Sequence, residues 1–378
     1  MEFGKVLVVG LDGANWQVIN QLINEGRLPT FRKIISHGAS GKLMSVFPPS
    51  TYPAWVSSVT GVNPGKHNIY DFVAHKGYRL KFVNASDRRA EPIQRMLSKK
   101  GFRYVIINLP VTFPPDKDDN GIIICGMDAP SEKCMYTYPE SLKSSLDSMG
   151  YRIDCGGPTN FGSNIEAYLD TVMNTIECRE TAALDLMRNT PWDFFMIIET
   201  APDRVQHFFW KYFDESYPSY NTLYSSSKFN IIPLVYERLD EMLNKFLSLD
   251  KGKVDVLIIS DHGFGPRTRD VYINNWLINS RLLHMKTVKV KGLVKKTTMN
   301  LVSMLGKLGL PLDDVIRFAP PWIINPFLLG GAFSLHDVDW DRTKVIFLSY
   351  TGRSFLLNVK GRESSGIVYF KEDDDNLR

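Results

Sequence analysis

Short runs of apolar residues alternate along the chain with longer stretches in which apolar positions recur three or four apart. Lys5–Gly10 is a β-branched run that ends at Leu11-Asp12-Gly13. Arg103–Leu109 (RYVIINL), Gly121–Cys125 (GIIIC), Phe194–Ile198 (FFMII) and Val254–Ser260 (VDVLIIS) have the length and apolar character of buried strands. Asn15–Ile35, with a break near Gly26, Asn164–Arg188 and Ile231–Leu249 carry the helical period. Alternating strands and helices predict an α/β fold, a doubly wound, mainly parallel sheet with helices on both faces. Ligands of such sheets bind beyond the carboxyl ends of the strands. Asp12 and Asp261 fall directly at predicted strand ends, and Asp203 a few residues after one.

The pattern changes near Tyr272. His284–Thr298 is basic, Leu301–Phe333 is apolar and interrupted by Pro311, Pro320, Pro321 and Pro326, and Lys344–Val359 returns to strand-like alternation. Residues 1–271 therefore read as a core, 272–338 as an inserted lid or cap, and 339–378 as a return to the core. The acidic end, Lys371–Arg378, is expected to fray. The lysines of Lys286–Lys296 suit either an anionic surface or a solvated lid face.

Composition narrows the class. The chain has 378 residues, enough for one large α/β domain with an insertion or for two domains. Its net charge of +4 comes from 45 basic and 41 acidic residues, too even a balance to indicate nucleic acid. Cys125, Cys134, Cys155 and Cys178 are scattered, without a Cys-x-x-Cys pair, which argues for reduced thiols over a disulfide framework or structural zinc. The opening MEFGKVLVVGLDG has no signal-peptide layout, and VLVVGL is too short to span a membrane. The expected location is cytoplasmic.

Three segments can carry chemistry. Asp203 and His207, four apart on a helix, share a face and can hold one divalent ion, although an N-cap aspartate and a surface histidine give the same spacing. Asp261-His262-Gly263 places an acid and an imidazole at a strand end, with a glycine that lets the chain turn. Thr51, in Pro48–Trp55, precedes the helical segment Ala54–Val59, where a helix N-terminus favours an anion. Ser50 and Thr51 are also ordinary N-cap residues. Lys66 and His67 follow in a turn, either facing a substrate phosphate or shaping the loop.

Taken together, LVVGLDGANW, FPPSTYPAWVSSVTGVNPGKHNIYDF, ETAPDRVQHFFW and LIISDHGFGP resemble, in order, the type I phosphodiesterase/nucleotide pyrophosphatase proteins of the alkaline phosphatase superfamily, above all its prokaryotic branch. VYINNWL, VDWDRTKV and NVKGRESSGIV extend the likeness over nearly the whole chain. The resemblance implies an alkaline phosphatase-like fold, two divalent metal ions, usually zinc, and a small phosphate-ester substrate. One ion would take Asp12, Thr51, Asp261 and His262. The other would take Asp203, His207 and a histidine from a later Gly-x-His segment. Thr51 would be the nucleophile, with Tyr52 N–H hydrogen-bonded to a phosphoryl oxygen. A threonine hydroxyl needs a metal ion to react, since its own pKa lies far above neutral.

The sequence departs from this pattern twice. After His262 only His284 and His336 occur, neither in a Gly-x-His setting, and relatives continue beyond the GRESSGIV segment. A truncated, weakly metallated or inactive member that binds metal or an anion without turnover is the alternative reading. Phe72 stands where nucleotide pyrophosphatases carry an asparagine that bonds phosphate. A sulfatase would need a Cys/Ser-x-Pro-x-Arg setting, and a phosphoglycerate mutase a serine nucleophile. Thr51-Tyr52-Pro53 fits neither.

Overall fold

The structure, a computed structural model, describes residues 4–158, 164–217, 229–249, 254–267, 269, 271–286, 335–349 and 354–369. Packing divides the chain into two units, Met1–Tyr70 with Val83–Thr268, and Asp71–Phe82 with Arg269–Arg378.

The first unit is built on a six-stranded sheet. Its strands are β1 (Lys5–Leu11), β4 (Tyr104–Leu109), β5 (Gly121–Cys125), β6 (Thr137–Tyr138), β7 (Phe194–Glu199) and β8 (Val254–Ile259), in the order β6-β5-β4-β7-β1-β8. Every neighbouring pair is parallel except β5–β6. β4 and β7 are buried at every position, so both faces of the sheet are covered. This explains their unbroken apolar runs. Each fully buried Ile or Val there contributes roughly 1.5–3 kcal/mol. β8 differs, because it is the edge strand among the described residues and its burial alternates, leaving Leu257 50% exposed.

The helices agree with the periodicity. Asn15–Ile35 forms α1 (Trp16–Asn24) and α2 (Pro29–His37), broken at Gly26, whose φ of 77° suits glycine. Asn164 caps α7 (Ile165–Asn189) by accepting from Ala167 N–H at 3.1 Å. One helix starts earlier than its apolar pattern. α3 spans Thr51–Thr60, not Ala54–Val59, and its first bond runs from Ala54 N–H to Ser50 C=O. Pro53 is tolerated in this opening turn, where its missing N–H breaks no ladder bond. The remaining helices of this unit are α4 (Pro64–His67), α5 (Ile93–Ser98), α6 (Leu142–Ser148), α8 (Ala201–Phe209) and α9 (Ile232–Leu249).

In the second unit, β2 (Val73–Lys76) and β3 (Arg79–Phe82) form a hairpin that apolar periodicity did not mark. Gly77, at φ 56°, makes its turn possible. With α10 (Ile273–Asn279), β9 (Val345–Phe347) and β10 (Phe355–Leu357), the unit has its own apolar core around Leu277, Leu283, Ile346 and Leu356. Tyr78 stacks on Trp340 at 3.8 Å and donates to Asn358 Oδ1 at 2.6 Å. Most of the expected lid, the basic run after Lys286, the Leu301–Phe333 stretch and the acidic end all lie outside the described residues. Among the described residues no helix is long and apolar enough to cross a membrane.

Candidate active site

Three parallel strands of the first unit deliver the acids to one place. Asp12 follows β1, and its backbone N–H still bonds to Glu199 C=O on β7 at 2.9 Å. Asp203 lies in the first turn of α8, immediately beyond β7. Asp261 and His262 follow β8. Gly13 lets these turns meet. Its φ is 68°, and a Cβ there would sit 3.1 Å from Asp203 Cα, so any side chain would push α8 away.

One ligand atom from each of Asp12, Asp203 and His262 lies within 4.8 Å of the others. His262 Nε2 is 3.6 Å from Asp12 Oδ1, 3.3 Å from Asp261 Oδ2 and 3.4 Å from Thr51 Oγ1. His262 Nδ1 lies 3.0 Å from Gly263 O. A carbonyl only accepts, so this contact needs the proton on Nδ1, and Nε2 is the ring atom that faces these oxygens. Asp12 Oδ1 and Asp261 Oδ2 are buried and have no hydrogen-bond partner among the described residues, while Asp203 Oδ1, also buried, has the His207 ring beside it. Converging acceptors of this kind suit a cation between them.

The electrostatics show the same crowding. Burial, then the negative charges of Asp261 and Asp203, hold the Asp12 carboxyl well above its ordinary value. Burial also pushes Asp261 up to about 6, with His262 opposing it. Burial works against the Asp203 carboxylate too, yet His207 beside it carries this group below its ordinary value. His207 Nε2 is 3.2 Å from Asp203 Oδ1, and its ring, 57% exposed, packs edge-on against Phe264 at 5.0 Å. This donor set of carboxylates and imidazoles, with buried oxygens left unpaired, fits a divalent metal ion.

The other sequence candidates fall in distinct places. Thr51 and Tyr52 open α3 and are both buried. Lys66 is exposed on α4. His67 is wholly buried, with Nε2 2.8 Å from Ser57 Oγ and Nδ1 accepting from Ile69 N–H at 3.1 Å. Burial lowers its pKa to about 4, so this neutral ring braces α4 against α3. Phe72, His284 and His336 belong to the second unit, where His284 Nε2 lies 3.1 Å from Arg281 O. The side chain of His336 is outside the described residues.

Two positions carry roles that the sequence reading missed. Gln206 is fully buried. It donates to Gly13 C=O at 2.9 Å and accepts from Asn15 Nδ2 and the Tyr236 hydroxyl, each at 3.2 Å. Asp261 Oδ1 accepts from Gly13 N–H at 3.1 Å, so the Gly13 residue is held at both its polar backbone atoms. A glutamine three residues after Asp203, on the face shared with buried Phe209, was the available signal. Trp55, also fully buried, donates its indole N–H to Asp12 Oδ2 at 3.0 Å.

Comparison with known proteins bears on the fold and the family. The structure is similar to phosphonoacetate hydrolase from Sinorhizobium meliloti 1021, solved with phosphonoformate, at a TM-score of 0.53 and 18% identity. The match covers 73% of this chain and 62% of that one. A murine ectonucleotide pyrophosphatase/phosphodiesterase 5, solved in an inactive form with AMP, matches at a TM-score of 0.45 and 14% identity, over 75% of this chain and 63% of that one. The chain thus spans less than two thirds of the length of these relatives. No curated protein matches. The sequence pattern of the family described as type I phosphodiesterase / nucleotide pyrophosphatase matches residues 6–308, and the chain belongs to that family.

Proposed function

We propose that this chain hydrolyses phosphate esters, with Thr51 as the nucleophile and divalent metal, zinc by the chemistry of the donors, held by Asp12, Asp203, His207, Asp261 and His262. The observation that carries this reading is the convergence of the buried carboxylates of Asp12, Asp203 and Asp261 and of His262 Nε2 beside Thr51 Oγ1. Bound metal would lower the pKa of the Thr51 hydroxyl and offset charge on the phosphoryl group. The protein supplies the rest. α3 fixes Thr51 in its first turn, where the helix dipole favours a phosphate. The Gly263 carbonyl orients the His262 ring, and His207 is backed by Phe264. Thr51 Oγ1 attacks phosphorus, the ester oxygen leaves, and water then releases the phosphoryl group from Thr51.

Two ions are proposed, the second centred on Asp203 and His207. The test combines metal content per chain with hydrolysis of a chromogenic diester and monoester by wild type and Thr51→Ala. Two ions and turnover that disappears in Thr51→Ala support the proposal. One ion or none, with no turnover, overturns it in favour of a member that binds metal or an anion without hydrolysis.

A further inference from the structure

Trp55 stands one helical turn after Thr51 on α3, and its indole reaches across to the turn after β1. Room for the ring comes from Gly10, where a Cβ would lie 2.4 Å from Trp55 Cη2 and 2.3 Å from Ile198 Cδ1. The indole N–H is a donor only and, once buried, needs an acceptor. It takes Asp12 Oδ2 at 3.0 Å. The other oxygen, Oδ1, is left without a hydrogen bond and faces His262 Nε2 at 3.6 Å. The two oxygens of one carboxylate are thus made inequivalent by a residue on the helix that carries the nucleophile.

We propose that Trp55 is a positioning residue that reserves Asp12 Oδ2 for its own N–H and restricts Asp12 to holding a divalent metal ion through Oδ1 alone. This rests on the metal-dependent reading of the site. It also ties α3 to Asp12, so Thr51 and the metal ligand keep a fixed spacing. A merely space-filling tryptophan would affect stability and nothing else.

The test is a cobalt(II) titration of the full chain, wild type against Trp55→Phe, followed by visible absorption and calorimetry. Phenylalanine retains most of the ring and removes the donor. Trp55→Phe is expected to bind cobalt roughly 10–100-fold more weakly, the usual cost of losing an outer-shell partner. Its visible bands are expected to lose intensity, because a freed Oδ2 adds a donor and raises the coordination number. Equal affinity and an unchanged spectrum, with or without a lower melting temperature, overturn the inference and leave the metal reading standing. Wild type that binds no cobalt overturns both. Should Trp55→Phe fail to fold, the indole resonance of Trp55 in the wild type decides. It is expected to exchange slowly and to move when zinc is added, and a resonance indifferent to zinc overturns the inference.

Discussion

Two buried clusters of charge lie near the carboxyl end of β7, and they are built differently. Around Arg179, two cations face two anions, although Glu199 Oε1 is buried without a hydrogen-bond partner among the described residues. Arg179 donates to Glu199 Oε2 at 2.9 Å and to Thr200 Oγ1 at 3.2 Å, while Arg204 makes a two-pronged contact with Asp154 at 2.6 and 3.2 Å. Thr200 joins the pairs by donating to Asp154 Oδ1 at 3.2 Å. Around Asp12 cations and anions do not match. Three carboxylates face two imidazoles, of which His262 already spends a proton on Gly263, and Asp12 Oδ1 and Asp261 Oδ2 have no hydrogen-bond partner among the described residues. A burial cost met by side chains marks a structural network. An excess of buried carboxylates over side-chain cations suits the binding of a cation.

That contrast can be broken by experiment. Thr51→Ala is expected to lower kcat by on the order of 10⁴-fold or more, with thermal stability nearly unchanged. Matching turnover in the variant removes Thr51 from the chemistry. Arg179→Met is expected to cost about 3–5 kcal/mol in urea unfolding, because it leaves Glu199 buried without its cation, and to leave metal affinity alone. A neutral effect on stability would show that the matched cluster is not structural.

Asp261→Asn should act in the opposite sense. Its amide oxygen still accepts from Gly13 N–H, while one of the crowded carboxylates loses its charge. Metal affinity is expected to fall by more than the roughly 100-fold that an outer-shell loss costs. The chelator-treated variant is expected to melt above chelator-treated wild type. A lower melting point would mean that the acids are not mutually repelling.

The smallest effect concerns His67. Its folded pKa is about 4, below the ordinary 6.5, so the unfolded chain binds the proton more readily. The His67 contribution to stability is present above about 6.5 and lost as pH falls toward 4. Denaturation across this window should be steeper in pH for wild type than for His67→Gln, and equal slopes would show that the ring is not buried neutral.

Much of this was legible without coordinates. Continuous apolar runs located β4, β5 and β7, since strands buried on two faces leave few polar positions to confuse the pattern, and β1 and β8 were found by the same runs although their burial is less even. Asp203 and His207 share one face of α8 by their spacing alone. The start of α3 was harder, because Pro53 reads as a break while its first turn needs no proline N–H. The β2–β3 hairpin was missed, since VAHKGYRLKF carries charges on exposed positions and little apolar alternation. That β8 lies next to β1 could not be read from VDVLIIS, because strand order depends on which neighbours pack.

What the sequence by itself determined is the type of layering and the presence of acids at the strand ends. Both follow from local period and from residue type, which neighbouring positions carry unaided. Tertiary structure alone decided how those acids are used. Residues 12, 51, 203 and 262 are far apart in the chain, and only the parallel order of β7, β1 and β8 brings Asp12, Asp203 and His262 within 4.8 Å. The partners of each carboxylate oxygen, Trp55 on one side of Asp12 and Gly13 against Asp261, are also set there, because a hydrogen bond depends on distance and direction that no spacing in sequence specifies.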